Sequence, residues 1–194
     1  MGKVSTYILH RKRFYHKLTK PHFSMQITKN LSLLIIILLS ITSYAQSDII
    51  DLTVTSKDHT TLVTAIKAAG LVSTLKEDGP YTIFAPTNEA FDKLPPKQLA
   101  NLLTPENKAT LASILSYHVI AGSLTETEII NKIKLENGSF TLKTVNGQQL
   151  VATLKENSIV ITDTAGNTSL LTKTSINGKN GIIHVVNTVL IPSN

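Results

Sequence analysis

Thirteen consecutive residues, Gly79–Phe91, hold a turn, a strand and a helix start, and they leave the surrounding chain few ways to fold. Gly79-Pro80 makes the turn. Tyr81–Ala85 is a short, almost wholly apolar run, which suits a strand buried on both faces better than one half exposed to water. Pro86 stops it. Thr87 or Asn88 then caps a helix, because a short polar side chain there accepts the unpaired N–H groups of the first turn. A second stretch, Gly181–Pro192, is built in the same way, with a Gly turn, the apolar run Ile182–Val186, a polar break at Asn187-Thr188, another expected strand and a terminating Pro. The first strands of the two stretches can lie side by side.

Residues 1–45 are a different kind of sequence. They hold seven of the 19 Lys and Arg residues and none of the 13 acids. Leu31–Ile41 is an apolar run broken only by serines, and Ser43-Tyr44-Ala45 supplies a small-x-small cleavage pattern. This reads as a secretory signal peptide cleaved near Ala45, with export to the periplasm or outside the cell. The apolar run is shorter than the ~20 residues a membrane span needs, so membrane contact is expected only through the uncleaved leader. Met25, Lys29 and the apolar core make a compact signal peptide by themselves, so translation is expected to start at Met25. A peptide map showing residues 1–24 would refute that.

The basic balance of the whole chain belongs to this leader. The remaining 12 basic residues face all 13 acids in residues 46–194, a net charge of −1. Phosphate contacts are therefore not indicated, and nucleic acid is not an expected partner. The 149 residues after Ala45 suit one domain with a sizeable core. With no cysteine, an exported chain has no disulfide to hold it, and thiol catalysis, thiolate metal sites and an N-terminal lipid-modified Cys are excluded.

The first half of that domain reads as helical. Asp58 is a candidate cap for a helix carrying Leu62, Val63, Ile66 and Ala69, ended by a left-handed Gly70 with Leu71 as its hydrophobic clasp. Leu71–Lys76 adds a turn of helix. Asn88–Leu94 runs into Pro95-Pro96, which forbids continuation, and Pro96 begins a helix with Leu99, Leu102 and Leu103 inward. Thr104-Pro105-Glu106 starts another, with Leu111, Ile114, Leu115 and His118 on one stripe. Thr125-x-x-Glu128 is a capping box for a short helix ending near Ile130.

The second half reads as β. Phe140–Val145 and Gln148–Leu154 flank Asn146-Gly147, a hairpin signal for a turn with positive φ at both central residues. Ile159–Thr162 and Ser169–Ile176 follow, separated by the turn-rich Asp163–Asn167, and Gly178-Lys179-Asn180-Gly181 reads as a hairpin loop. Helices first and hairpin-connected strands later give an α+β class with mostly antiparallel strands.

No catalytic pattern emerges. There is no Gly-x-Ser-x-Gly elbow and no phosphate-cradling glycine loop. Glu126 and Glu128 lie two apart on a helix and cannot face each other. The three histidines after the leader, His59, His118 and His184, match no metal spacing, so neither a metal nor a cofactor is expected. His118 and His184 lie among apolar residues and read as core imidazoles with bonded nitrogens; His59 reads as a solvated helix-start residue. Tyr117 falls off the Leu111–Leu115–His118 line, either at the surface or closing the core edge.

Three motifs in order carry a resemblance to a known family. Gly79–Phe91 looks like the first signature of the fasciclin (FAS1) domain, Tyr117-His118 like its Tyr-His motif, and Gly181–Pro192 like its second signature. The likeness covers about Asp48 to Pro192, so residues 46–194 are expected to be a single fasciclin domain. It implies a wedge-shaped β-sandwich with N-terminal helices packed against it, and Thr87, Asn88, Phe91, His184 and Asn187 as structural motif residues. It further implies a non-enzymatic adhesion module that binds a cell-surface or matrix protein or glycan. In animal members the Tyr-His region is implicated in integrin binding, which points to Tyr117, His118, Leu115, Val119 and Ile120 as partner-binding residues. The family also places its His in a hydrogen bond near the first motif, which here means Thr87 or Asn88. Where many members have Asp-Ile before the second motif, this chain has Ser175-Ile176. The alternative function is a carrier of a lipid or metabolite in a cleft between helices and sheet.

Overall fold

The computed structural model describes residues 47–76 and 79–193; the leader, its cleavage pattern and Met25 lie outside them. The described residues form α1 (Ile49–Thr55), α2 (Thr60–Ala69), α3 (Val72–Lys76), β1 (Tyr81–Pro86), α4 (Asn88–Asp92) and α5 (Pro96–Leu102). The order continues through α6 (Lys108–Tyr117), β2 (Val119–Ala121), α7 (Glu126–Leu135), β3 (Ser139–Lys143), β4 (Gln149–Lys155), β5 (Ser158–Thr162), β6 (Thr168–Gly178) and β7 (Gly181–Val186). Short 3₁₀ turns at Lys57–His59 and Pro105–Asn107 lead into α2 and α6.

The strands form one sheet in the order β2-β1-β7-β6-β5-β4-β3. Five of the six neighbouring pairs are antiparallel, and β1–β7 is parallel, with Tyr81 opposite Gly181 and Phe84 opposite His184. The expected pairing of the two signature strands is thus present. Glycine makes it possible: a Cβ on Gly79 would lie 2.1 Å from the Asn180 carbonyl oxygen, and one on Gly181 would lie 2.1 Å from that of Tyr81. The long β6 is irregular at Lys173 and again before Ile176, and such bulges bend a strand. The sheet curls until its ends meet, through a bridge between Ile120 and Thr144 and an amide of Val145 that donates to the Val119 carbonyl at 2.8 Å. The sandwich implied by the resemblance is, in hydrogen-bonding terms, one mixed sheet closed nearly into a barrel.

β1 and β7 are buried on both faces because each separates two cores. On one side Ile83, Ala85 and Ile183 pack with Ile49, Leu62, Ile66, Phe91, Leu111 and Leu115 from the helices. On the other Phe84 and Val186 pack with Tyr117, Ile129, Ile133 and the inward residues of β3–β6. A strand with apolar neighbours above and below has no position for a solvated side chain, which is why alternation is lost.

Several local expectations need correction. The α7 helix runs to Leu135, not Ile130, because Ile129 and Ile133 make one inward stripe while Asn131, Lys132 and Lys134 face water. Its capping box is as expected. In the β3–β4 hairpin only Gly147 takes positive φ; Asn146 instead uses its side chain, accepting from the Thr144 hydroxyl and the Gln148 amide, to shape a five-residue loop. Asp58 does not cap α2. The Asn88 carboxamide does so from 27 residues away, accepting from the Thr61 amide at 3.0 Å and donating to the Lys57 carbonyl at 3.0 Å. Asn180, in the β6–β7 turn, likewise accepts from the Ile49 amide at the start of α1 and donates to the Leu75 carbonyl in α3.

Candidate functional site

Tyr117 and His118 stand where α6 passes into β2. Tyr117 is fully buried; its hydroxyl donates to the Gln149 carbonyl at 2.8 Å and accepts from the Thr164 amide at 3.1 Å. His118 is 2% exposed, with Nδ1 donating to the Ile114 carbonyl at 2.8 Å and Nε2 accepting from the Leu190 amide at 3.0 Å. A ring that donates at one nitrogen and accepts at the other is neutral, with its proton on Nδ1. Burial pushes its pKa down to about 4, against the opposing pulls of the Ile114 carbonyl and the Asp163 carboxylate. The implied bond to Thr87 or Asn88 is not the one made: Asn88 is engaged at the start of α2, and His118 holds the second signature instead.

That signature does not continue as a strand after β7. Beyond Val186 one backbone bond remains, from the Asn187 amide to the Leu170 carbonyl at 3.2 Å, and side chains hold the rest. The Asn187 carboxamide accepts from the Leu170 amide at 2.9 Å, and the Ser169 hydroxyl accepts from the Thr188 amide at 2.9 Å. Leu190 bonds to His118, Ile191 donates to Asp163 Oδ2 at 3.1 Å, and Ser193 donates to Gln148 Oε1 at 3.1 Å. Asp163 is itself buried, and its carboxylate also accepts from the amides of Ala165 and Asn167. Each acceptor replaces a bond that a neighbouring strand would have made, so the segment stays ordered without pairing.

The consequence for the expected partner-binding set is direct. Leu115, Tyr117, His118, Val119 and Ile120 each expose 5% or less of their surface. All five side chains are packed inside the domain. The other motif residues are also used internally: Thr87 caps α4 by accepting from the Ala90 amide, Phe91 lies in the helical core, and Asn187 holds β6.

His184 is a core imidazole, as expected. Its Nδ1 accepts from the Ser175 amide at 3.2 Å, its Nε2 donates to the Leu124 carbonyl at 2.7 Å, and the ring stacks on Phe84 with centroids 5.9 Å apart. Burial lowers its pKa, while the Leu124 carbonyl and Glu126 pull the other way. Ser175, at the β6 irregularity, has φ 54° and offers its hydroxyl oxygen to the Glu126 amide, the first N–H of α7. Ser175 therefore joins three elements: β6, β7 through His184, and α7.

His59 departs from expectation. It is 7% exposed, not solvated, with Nδ1 2.7 Å from the Ser56 hydroxyl oxygen. Its Nε2 is buried with no hydrogen-bond partner among the described residues. Burial lowers the pKa, and Lys173 adds to this, while Asp58 and the Ala85 carbonyl oppose it. His59 lines a cavity of about 390 Å³ between the end of α1 and the face of β1, β7 and β6. Nothing in the sequence around His59 marks this burial, because the strands that cover it are supplied from residues 85 and 172–185. Among the described residues no group of three or more His, Asp or Glu side chains converges as a metal site.

The fasciclin-domain family model matches residues 57–192. Protein sll1483 of Synechocystis is 34% identical over 144 residues, covering 74% of this chain and 73% of that protein. The cell surface glycolipoprotein MPB83 of Mycobacterium bovis is 34% identical over 122 residues, 63% of this chain and 48% of its own length. A FAS1 domain pair from the insect cell adhesion molecule Fasciclin I superposes with a TM-score of 0.55 at 20% identity, over 67% of this chain and 43% of that one.

Proposed function

The chain belongs to the fasciclin-domain family, and from that premise we propose that residues 46–194 act as a single, non-enzymatic extracellular module that adheres to a cell-surface or matrix protein or glycan. Export follows from the leader reading, with cleavage near Ala45. Two relatives support the setting, one named a cell surface glycolipoprotein and one a cell adhesion molecule. No helix of the described residues is long and apolar enough to cross a membrane.

The observation that carries the reading is how the Tyr-His region meets the surface. Its own side chains are buried, but the Thr144–Gln148 loop is bound directly over it, through the Val145 amide to Val119 and the Asn146 carboxamide to the Ser113 carbonyl. Val145 leaves 51% of its surface exposed there. The motif thus acts as a rigid support, and the partner meets what it supports. A preorganised surface loses little conformational entropy on binding.

The test is binding of purified, labelled protein to intact cells and isolated envelope, before and after protease or periodate. Loss with protease identifies a protein partner, and loss with periodate a glycan. Val145→Asp is expected to abolish binding with an unchanged unfolding midpoint. Absence of binding at micromolar concentration, or full binding by that variant, would overturn the assignment.

A further inference from the structure

The cavity beside His59 has two opposite charges at its rim and an apolar floor. Leu52, Ala85, Ile183 and Val185 form the floor. Ala85, Ile183 and Val185 are buried residues of the parallel β1–β7 pair, so the floor is part of the rigid centre of the sheet. Asp58 and Lys173 stand at the rim, both exposed, and neither makes an ion pair among the described residues. Asp58, His59 and Lys173 line this one cavity together. Thr55 and Thr172 also line it, their hydroxyls donating to the Leu52 and Val185 carbonyls. A volume of about 390 Å³ falls within the size range of small-molecule sites.

Each class of small ligand can be weighed against this lining. A monocarboxylate gains Lys173 but is repelled by Asp58, and an amine meets the reverse. A neutral molecule gains from neither charge. A molecule carrying both charges at one end and an apolar body at the other matches rim and floor together. We propose that this cavity is a binding site for a small apolar zwitterion, a free α-amino acid of the leucine type, its ammonium toward Asp58, its carboxylate toward Lys173 and its side chain over Ile183 and Val185. The site is independent of the adhesive surface at Val145: its floor and rim come from α1, the Lys57–His59 turn and strands β1, β6 and β7.

The experiment is an NMR titration of the purified protein at neutral pH with L-leucine, 4-methylpentanoate, 3-methylbutylamine and glycine as separate probes. L-leucine is expected to give saturable shifts confined to Leu52, His59, Ile183 and Val185. The two single-charge analogues, and glycine with no apolar body, are each expected to bind at least about tenfold more weakly, the loss of one ionic or apolar anchor. Asp58→Asn and Lys173→Gln, which alter exposed side chains with no hydrogen bond among the described residues, are expected to fold normally and weaken leucine by a similar factor. The proposal is overturned by an absence of saturable shifts at ~10 mM leucine, far above any specific range. It is equally overturned by an analogue that binds as tightly as leucine, or by variants that bind it unchanged. None of these outcomes touches adhesion, which is read on cells.

Discussion

Lowering the pH tests the role of His118. The buried ring accepts a proton only near pH 4, whereas an exposed imidazole does so near its ordinary value of 6.5. Folding therefore favours the neutral ring. Its stabilising effect is complete above pH 6.5, declines as the unfolded chain takes up its proton, and is lost once pH falls through about 4. At about 1.4 kcal/mol per tenfold, the gap between 6.5 and about 4 corresponds to about 3 kcal/mol. That is a large share of the ~5–15 kcal/mol that holds a domain folded. The mechanism is local: a protonated Nε2 cannot accept from the Leu190 amide, and Val189 and Leu190, both buried, lose their anchor. The assay is urea unfolding of the parent and His118→Gln from about pH 7.5 to about pH 4. Glutamine can offer an oxygen to Leu190 and an N–H to Ile114 but does not titrate. His59 and His184, whose pKa values burial also lowers, are common to both proteins and cancel in the difference. The parent is expected to lose about 3 kcal/mol more than the variant across this range. Parallel stability curves, or a His118 ring titrating near 6.5 in the folded protein, would refute the reasoning.

Three further perturbations address other joints of the fold. Tyr117→Phe removes the partner of both the Gln149 carbonyl and the Thr164 amide, and is expected to cost ~1–3 kcal/mol in urea unfolding; an unchanged midpoint would mean that neither group depends on the hydroxyl. Gly181→Ala places a Cβ 2.1 Å from the Tyr81 carbonyl oxygen, so no folded protein is expected, and a soluble variant with a cooperative transition would contradict the β1–β7 approach. Asn88→Ala strips the start of α2 of its cap and is expected to cost ~1–2 kcal/mol. Asn88→Asp keeps the acceptor but loses the donor to Lys57, so its unfolding midpoint should fall between those of the parent and the alanine variant.

Much of the architecture is legible in short stretches. The apolar runs at Tyr81 and Ile182 specify strands buried on both sides, and the family motifs place them in one known fold. The Gly70 stop, the Thr87 cap and the Thr125–Glu128 box act through groups within about four residues, so they are readable locally. What short stretches do not reveal shares a cause. His59 looks like a helix-start residue until residues 85 and 172–185 close over it. Asp163 is visible as a turn residue, but its bond to Ile191 spans 28 positions. Tyr117 lies off the stripe of its own helix and is buried by β4 and the loop after β5, not by the helical core.

The sequence by itself determines the α+β class, the positions of most elements and the two glycine-led strands, because periodicity, turn chemistry and capping are short-range. It also places the basic excess in residues 1–45 and leaves residues 46–194 near neutrality. Tertiary structure alone decides that the sheet closes on itself, that His118 anchors the tail at Leu190, and that Tyr117 and His118 are both buried. It alone brings Asp58 and Lys173 to one cavity. The bonds among these join positions up to 72 apart, and a chain pattern specifies that a group must be buried or bonded without specifying which distant group will do it.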